Sequence, residues 1–338
     1  MANVNMRALV VCVGLFPLAW YSGSRIYQER GLPDQTVNRQ RQGHWPTYEE
    51  RKVETMVIER NEKVCTLCML CVRDCVAGVW RLVEGRPTPV EPSFCNGCSH
   101  CIAVCPADAI RHTGLDAGQA VKVNRANLNP EVFREIVLSR RSIRHYKDKP
   151  VPAEILERII DLAHYAPTAS NDQNVGYVVV TDKSLIQTVA KQIFGYALKL
   201  NEKSKQGLAK RIIQATGLSN LRYLRLMDTL KEEYLAGRDF ILHNAPVLIL
   251  LHGPRLKPFA GENCSIAATT IVNYAHSLGL GSCFTGLLTL AVKFNPAIRK
   301  QLGVPRGRRV YTSLVLGYPA YAFSRTVSRK PAEIVWKA

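Results

Sequence analysis

The stretch CTLCMLCVRDC, residues 65–75, carries Cys65, Cys68, Cys71 and Cys75, and the pattern returns at residues 95–106 as CNGCSHCIAVCP, with Cys95, Cys98, Cys101, Cys105 and then Pro106. Both runs are spaced C-x2-C-x2-C-x3-C and together hold eight of the eleven cysteines. Three chemistries compete for such a pattern. Disulfides would close only tight local loops, and a long enzyme of a reducing compartment rarely needs them. Structural zinc usually takes two CxxC pairs separated by a dozen or more residues, which three cysteines in one short loop fit poorly. Three close thiolates with a remote fourth suit a [4Fe–4S] cube, and the Cys-Pro ending belongs to that signature. The spacing therefore favours a pair of [4Fe–4S] clusters.

Residues 57–115 resemble the bacterial-type two-cluster ferredoxins. In that family the fourth cysteine of each run serves the other cluster. The resemblance thus implies one cube on Cys65, Cys68, Cys71 and Cys105 and a second on Cys75, Cys95, Cys98 and Cys101. Such a crossing would let metal hold together a module with little core. Val76, rather than proline, follows Cys75, which touches the local turn and no ligand.

The chain of 338 residues has room for more than one domain, and 47% of it is apolar. Thiolate clusters imply assembly in a reducing compartment. The net charge of +18 lies almost wholly in residues 119–338, which hold 32 Lys/Arg against 15 Asp/Glu. That excess suits a solvated surface, an acidic partner, an anionic membrane face or a phosphate-bearing cofactor. Nucleic acid is disfavoured, because no zinc finger, RNP-like aromatic motif or basic reading helix stands out.

The N-terminal run ALVVCVGLFPLAW (residues 8–20) spans about 20 Å as a helix, short of the roughly 30 Å hydrocarbon core. Extension to Tyr27 gives a just-sufficient length, followed by Arg30, Arg39 and Arg41 on the side that would stay in the reducing compartment. A signal peptide and a mitochondrial presequence are the rivals. An anchor or docking helix is the expectation for this segment, with a polar tether behind it. Membrane association would then leave the redox domains on the matrix or cytoplasmic face.

The second half mixes helix and strand signals. Helices are expected over Glu131–Ile143, Ala153–Tyr165 and Ser265–Leu280, the last closed by Gly281, and strands at Tyr177–Asp182, Pro246–Gly253 and Val310–Pro319. This indicates an α+β or α/β domain. Arg140, Arg141, Ser142 and Arg144 offer guanidinium forks and a hydroxyl suited to a phosphate monoester, although cations at a helix C-terminus give the same pattern.

RRSIR at residues 140–144, APTASN at 166–171, GLGSC at 279–283, LGYP at 316–319 and the late Arg329 follow one another in the order seen in the nitroreductase family of FMN enzymes. Residues 128–336 resemble that family. The resemblance implies an α+β homodimer. Arg140, Arg141, Ser142, Arg144 and Arg329 would hold the FMN phosphate and pyrimidine edge. Thr168, Ser170 and Asn171 would lie along the flavin from the partner subunit. Gly281, Ser282 and Cys283 would give backbone donors near its N5 and O4 edge. Two departures stand out: NDQNV replaces N-x-Q-P-W at residues 171–175, altering the substrate face, and Val327 stands where a cation often precedes the late arginine. For Cys12, Cys264 and Cys283 a small buried apolar role is the default.

The expected organisation is residues 1–57 as anchor and tether, 58–118 as a ferredoxin-like module with two [4Fe–4S] clusters, and 119–338 as a nitroreductase-like FMN domain. An iron–sulfur flavoprotein oxidoreductase follows. It would take electrons from NAD(P)H or a reduced carrier and pass them to a nitro compound, quinone or enone. The alternative is a membrane-docked accessory subunit of a larger electron-transfer complex that retains the fold.

Overall fold

The computed structural model describes residues 56–204 and 227–337. The segment Ala8–Tyr27, Cys12 and nearly all of the tether therefore lie outside the described residues. Among those described, no helix is long and apolar enough to cross a membrane.

The cysteine-rich region contains four short strands. β1 (Ile58–Arg60) pairs antiparallel with β4 (Ile110–His112), while β2 (Trp80–Val83) and β3 (Arg86–Pro89) form a hairpin. The hairpin closes at Glu84 and Gly85, both with positive φ, as a two-residue turn matched to strand twist demands. The helices here are single turns, Leu70–Asp74 and His100–Ala103, each following a cysteine loop. The buried apolar cluster of this region is small: Ile58, Cys71, Val79 and Trp80.

The remainder is built on a four-stranded antiparallel sheet in the order β5-β6-β8-β7, from β5 (Gly176–Val180), β6 (Val247–Pro254), β7 (Gly281–Phe284) and β8 (Arg308–Gly317). Successive strand residues face opposite sides. Val247, Ile249 and Leu251 join Leu314 and Leu316 in one cluster, with the helices Ala153–His164 and Ala260–Ser277. Leu248, Leu250, Val310 and Val315 face the other way, against Lys183–Ser204 and Gly286–Phe294. Central strands covered on both faces explain the unbroken apolar run of β6. All pairings among β5–β8 are antiparallel and the helices cover both faces, so the domain is α+β.

Two helices differ most from expectation, while the other expected elements shift by one or two residues. The helix expected to reach Ile143 spans Pro130–Ser139 and ends at Arg140. It is capped at the front by the Asn129 side chain, which accepts the N–H groups of Glu131 and Val132. Residues after Arg140 leave the helix because they pair with the sheet: Ser142 bridges Ser282, and Ile143 N–H donates to Ser282 O at 3.0 Å. The long helix begins at Ala260 and ends at Ser277. The left-handed residue that closes it is Gly279, with φ of 78°. Gly281 instead opens β7.

Candidate functional site

Each cysteine run folds as a loop and one helical turn. Leu67 and Met69 flank Cys68 with φ of 55° and 60°, and Gly97 and Ser99 flank Cys98 with φ of 65° and 62°. The two loops thus repeat one backbone path. Alternation into the left-handed region turns successive N–H groups toward a common centre, a concavity that favours anionic sulfur. Glycine takes that path freely at 97, whereas Leu67 holds it against its own Cβ.

The N–H groups reach the sulfurs. Ala109 N–H donates to Cys105 Sγ at 3.2 Å and Gly97 N–H to Cys95 Sγ at 3.4 Å. The Leu70 N–H holds the Cys68 thiol below its usual range. Charge coupling between thiols sorts most of them into two groups. Cys71 feels Cys68 and Cys105, whereas Cys95 feels Cys98 and Cys75, and Cys101 feels Cys95 and Cys98. The fourth cysteine of each run therefore sits with the other run. Burial pushes the Cys71, Cys95 and Cys101 thiols up, Cys101 to about 11.

Among the described residues, no three His, Cys, Asp or Glu side chains converge tightly enough for a single metal ion. Sulfurs approached by backbone N–H donors fit the thiolate ligands of an iron–sulfur cluster.

A second site forms where the segment after Arg140 crosses β7. Arg140 lies close enough to Arg141 and Arg329 for like-charge repulsion, and burial with that repulsion lowers its basicity. Cys283 lies beside Ser142 and Arg144, and burial raises its thiol. The structure thus gathers Arg140, Arg141, Ser142, Arg144, Ser282, Cys283 and Arg329. None of the ion pairs among the described residues uses these arginines. The segment is pinned from behind by the GYP turn: Lys147 N–H donates to Tyr318 O at 2.8 Å and Ala320 N–H to His145 O at 2.9 Å.

Arg141 plays a part of its own. Its terminal nitrogens donate to the carbonyls of Leu138 and Arg140, capping the helix end. Its Nε is buried without a partner. An orphaned donor amid crowded, unneutralised guanidinium groups is satisfied by an anionic oxygen, so this cradle fits a phosphate.

Gly281 has a different role from the one its sequence suggests. A Cβ there would lie 2.5 Å from Ile143 Cγ1. The glycine admits the Ile143 segment against β7, and it opens a strand rather than closing the preceding helix.

Among the described residues, no hydrogen bond or ion pair joins these arginines to Thr168, Ser170 and Asn171. Their loop is held by Asn263, which accepts Ala169 N–H at 3.0 Å and donates to Asn174 Oδ1 at 3.4 Å. Arg308 in turn donates to the Asn174 carbonyl and to His252 Nδ1. Asn174, which departs from the family motif, is thus an anchor of the loop. The loop meets the second cysteine run directly: Asn171 Nδ2 donates to Asn96 O at 3.1 Å, and Asn96 Nδ2 reaches Ser170 O at 3.5 Å. Asn96, Asn263 and Arg308 carry no motif signal in the sequence, and only the fold reveals them.

The nitroreductase family model matches residues 137–318, more than half of the 338-residue chain. The chain belongs to the nitroreductase family. A 4Fe–4S dicluster domain matches residues 64–110. Among curated relatives of this nitroreductase-family chain, a putative NADH dehydrogenase/NAD(P)H nitroreductase of Methanothermobacter thermautotrophicus is 26% identical, over 55% of this chain and 76% of the relative. A 4-nitrobenzoate reductase of a Nocardioides species is 29% identical over 56% of this chain and 81% of its own length. Iodotyrosine deiodinase 1 of Rattus norvegicus is 27% identical over 57% and 64%. A solved nitroreductase with bound FMN from Bacteroides fragilis is 24% identical with a TM-score of 0.47, covering 62% of this chain and 100% of that one.

Proposed function

We propose that this nitroreductase-family chain is an iron–sulfur flavoprotein oxidoreductase in which a cluster module, residues 58–118, feeds an FMN domain, residues 119–338. The observation that carries this reading is the clasp between Asn96 and the Ser170–Asn171 loop, which ties a cysteine loop to a candidate flavin loop.

In this reading Cys65, Cys68, Cys71 and Cys105 hold one [4Fe–4S] cluster, and Cys75, Cys95, Cys98 and Cys101 hold the other. Bound flavin would supply the exchange between single electrons and an electron pair. Arg140, Arg329 and the Arg141 Nε bind and orient its phosphate, with the Ser142 hydroxyl and Arg144 beside them. Gly281, Ser282 and Cys283 present the backbone of β7 to its ring edge. Thr168, Ser170 and Asn171 complete the site from a second copy of the chain. NAD(P)H or a reduced carrier is the donor, and the acceptor is a small conjugated molecule of nitro, quinone or enone type. The relatives' names, nitroreductase, nitrobenzoate reductase and deiodinase, support reductive chemistry on such molecules.

Purified full-length protein should release FMN and carry about eight iron atoms per chain, the content of two four-iron cubes. Release of FAD or absence of flavin overturns the flavin assignment, and iron near four per chain overturns the second cluster. Membrane association through residues 8–27 is a separate part of the proposal. Fractionation of full-length and residue 28–338 proteins tests it, and equal solubility without detergent rejects it.

A further inference from the structure

Two buried side chains outside the ligand set converge on one group of cysteines. His112, at the end of β4, is 6% exposed, and its Nε2 lies 3.3 Å from Cys95 Sγ. Its Nδ1 accepts the Gly114 N–H at 3.1 Å. A neutral imidazole has one donor and one acceptor nitrogen. Since Nδ1 accepts, Nε2 carries the hydrogen and points it at sulfur. Trp80, at the start of β2, is 2% exposed. Its indole N–H is buried with no hydrogen-bond partner among the described residues, and Cys101 packs against the small cluster that holds the ring. Indole nitrogen can only donate, and burying a donor unmatched is costly. Negative sulfur at Cys101 resolves that cost.

The other group lacks this arrangement. Cys105 and Cys71 receive backbone N–H groups of Ala109 and Val72. Cys68 is exposed, and its side-chain partner Thr66 is exposed with it. Hydrogen bonds to cluster sulfurs, together with burial, are what a protein uses to set a cluster's potential. A donor hydrogen bond strengthens as the sulfurs gain negative charge, so it favours the reduced form.

We propose that His112 and Trp80 are positioning residues that donate to Cys95 and Cys101, and that they raise the potential of the cluster held there above that of its neighbour. The inference rests on the two-cluster reading. It gives the module a direction. A one-electron carrier docks at the exposed Cys68 edge and is oxidised by one electron as the first cluster is reduced. The first cluster is reoxidised as the second is reduced, and no proton moves. The second cluster's own loop is the one clasped to Ser170 and Asn171.

The test is a redox titration of full-length holoprotein followed by electron paramagnetic resonance. Two separate midpoints are expected in the unmodified protein. His112→Phe and Trp80→Phe should each move the higher midpoint to more negative potential and leave the lower one in place. His112→Gln, which retains an N–H donor, should restore most of the shift. No shift, a shift of both midpoints together, or an upward shift overturns the proposal. A second measurement does not depend on the variants loading their clusters. In unmodified protein labelled with 15N-histidine, electron–nuclear double resonance on the reduced higher-potential cluster should detect nitrogen coupling from the imidazole. Its absence also overturns the proposal. Iron near four per chain with a single midpoint instead breaks the two-cluster reading beneath it.

Discussion

The two redox regions of this chain are held together by different means. The cysteine-rich region buries Ile58, Cys71, Val79 and Trp80 between strands of three and four residues. The sheet domain packs β6 and β8 between helices on both faces, with Leu248, Ile249, Leu250, Leu251, Leu314 and Val315 fully shielded from water. Two small hairpin-like sheets do not carry a fold in water on their own. A doubly covered sheet with continuous core does. On the proposed cluster reading, stability in the first region comes from metal, and in the second from apolar burial.

The largest effect should come from breaking the metal side. Cys98→Ala removes a proposed ligand from the group that links both cysteine runs through Cys75. The variant should lose iron and the slow hydrogen exchange of residues 58–112, while β6 and β8 keep theirs. Hydrogen-exchange mass spectrometry reads both regions in one sample. Retained protection across β1 and β4 without iron would show that the small core suffices and would erase the contrast.

The reciprocal change sharpens it. Leu250 is fully buried at the centre of β6. Leu250→Ala should cost about 2–5 kcal/mol through lost burial and a residual cavity. Denaturant unfolding of the sheet domain should record that loss with iron content unchanged. A loss below about 1 kcal/mol would mean that the sheet's core collapses around the deletion far better than such sites usually do.

The contrast also governs what the sequence could reveal. Metal ligands must be particular residues at particular spacings, so the cysteine groups were legible, and their crossing followed from the resemblance. The β6 run was legible because covered strands are continuously apolar. Closures between distant segments were not legible. Nothing in the local sequence says that His112 meets Cys95, that Cys101 packs against the cluster holding Trp80, or that Asn96 touches Asn171. Gly281 looks like a loop glycine, and its true reason is Ile143, more than a hundred residues away. The RRSIR run was ambiguous because its geometry is compatible with both readings: Arg141 caps the helix with its terminal nitrogens, and its Nε is buried without a partner among the described residues.

That division makes Arg140 the better probe of the anion cradle. Arg140→Ala removes a charged donor that has no carboxylate partner among the described residues, so loss of a bound phosphate should be the dominant effect. Charged hydrogen bonds of this kind are worth about 1.5–3 kcal/mol. FMN affinity should fall roughly 10- to 150-fold, read by fluorescence titration of the flavin-stripped protein, with cluster spectra unchanged. Unchanged affinity would separate the arginine cluster from the flavin.

The smallest effect concerns pH and belongs to the sheet domain alone. His252 lies on β6 in space that Gly176 leaves open, since a Cβ there would lie 2.2 Å from the ring. Burial and the charges of Arg308 and Arg299 lower its pKa to about 4. Arg308 Nε donates to its Nδ1 at 2.9 Å, which requires that nitrogen unprotonated. The neighbouring Cys264 thiol, pushed up to about 12, stays neutral throughout the acid range. An unfolded histidine takes up its proton near pH 6.5. Between about pH 6.5 and 4 the unfolded chain therefore binds more protons at this residue than the folded one. The stabilisation is complete above pH 6.5 and is lost as pH falls toward 4, amounting to on the order of 1–2 kcal/mol between pH 7 and 5. His252→Gln keeps an acceptor for Arg308 without the titration. Its sheet domain should lose less stability than the parent across that window, measured as the difference between the two proteins so that acid effects on the cluster region cancel. Parallel stability curves would mean that His252 is protonated in the folded domain and that Arg308 finds its partner elsewhere.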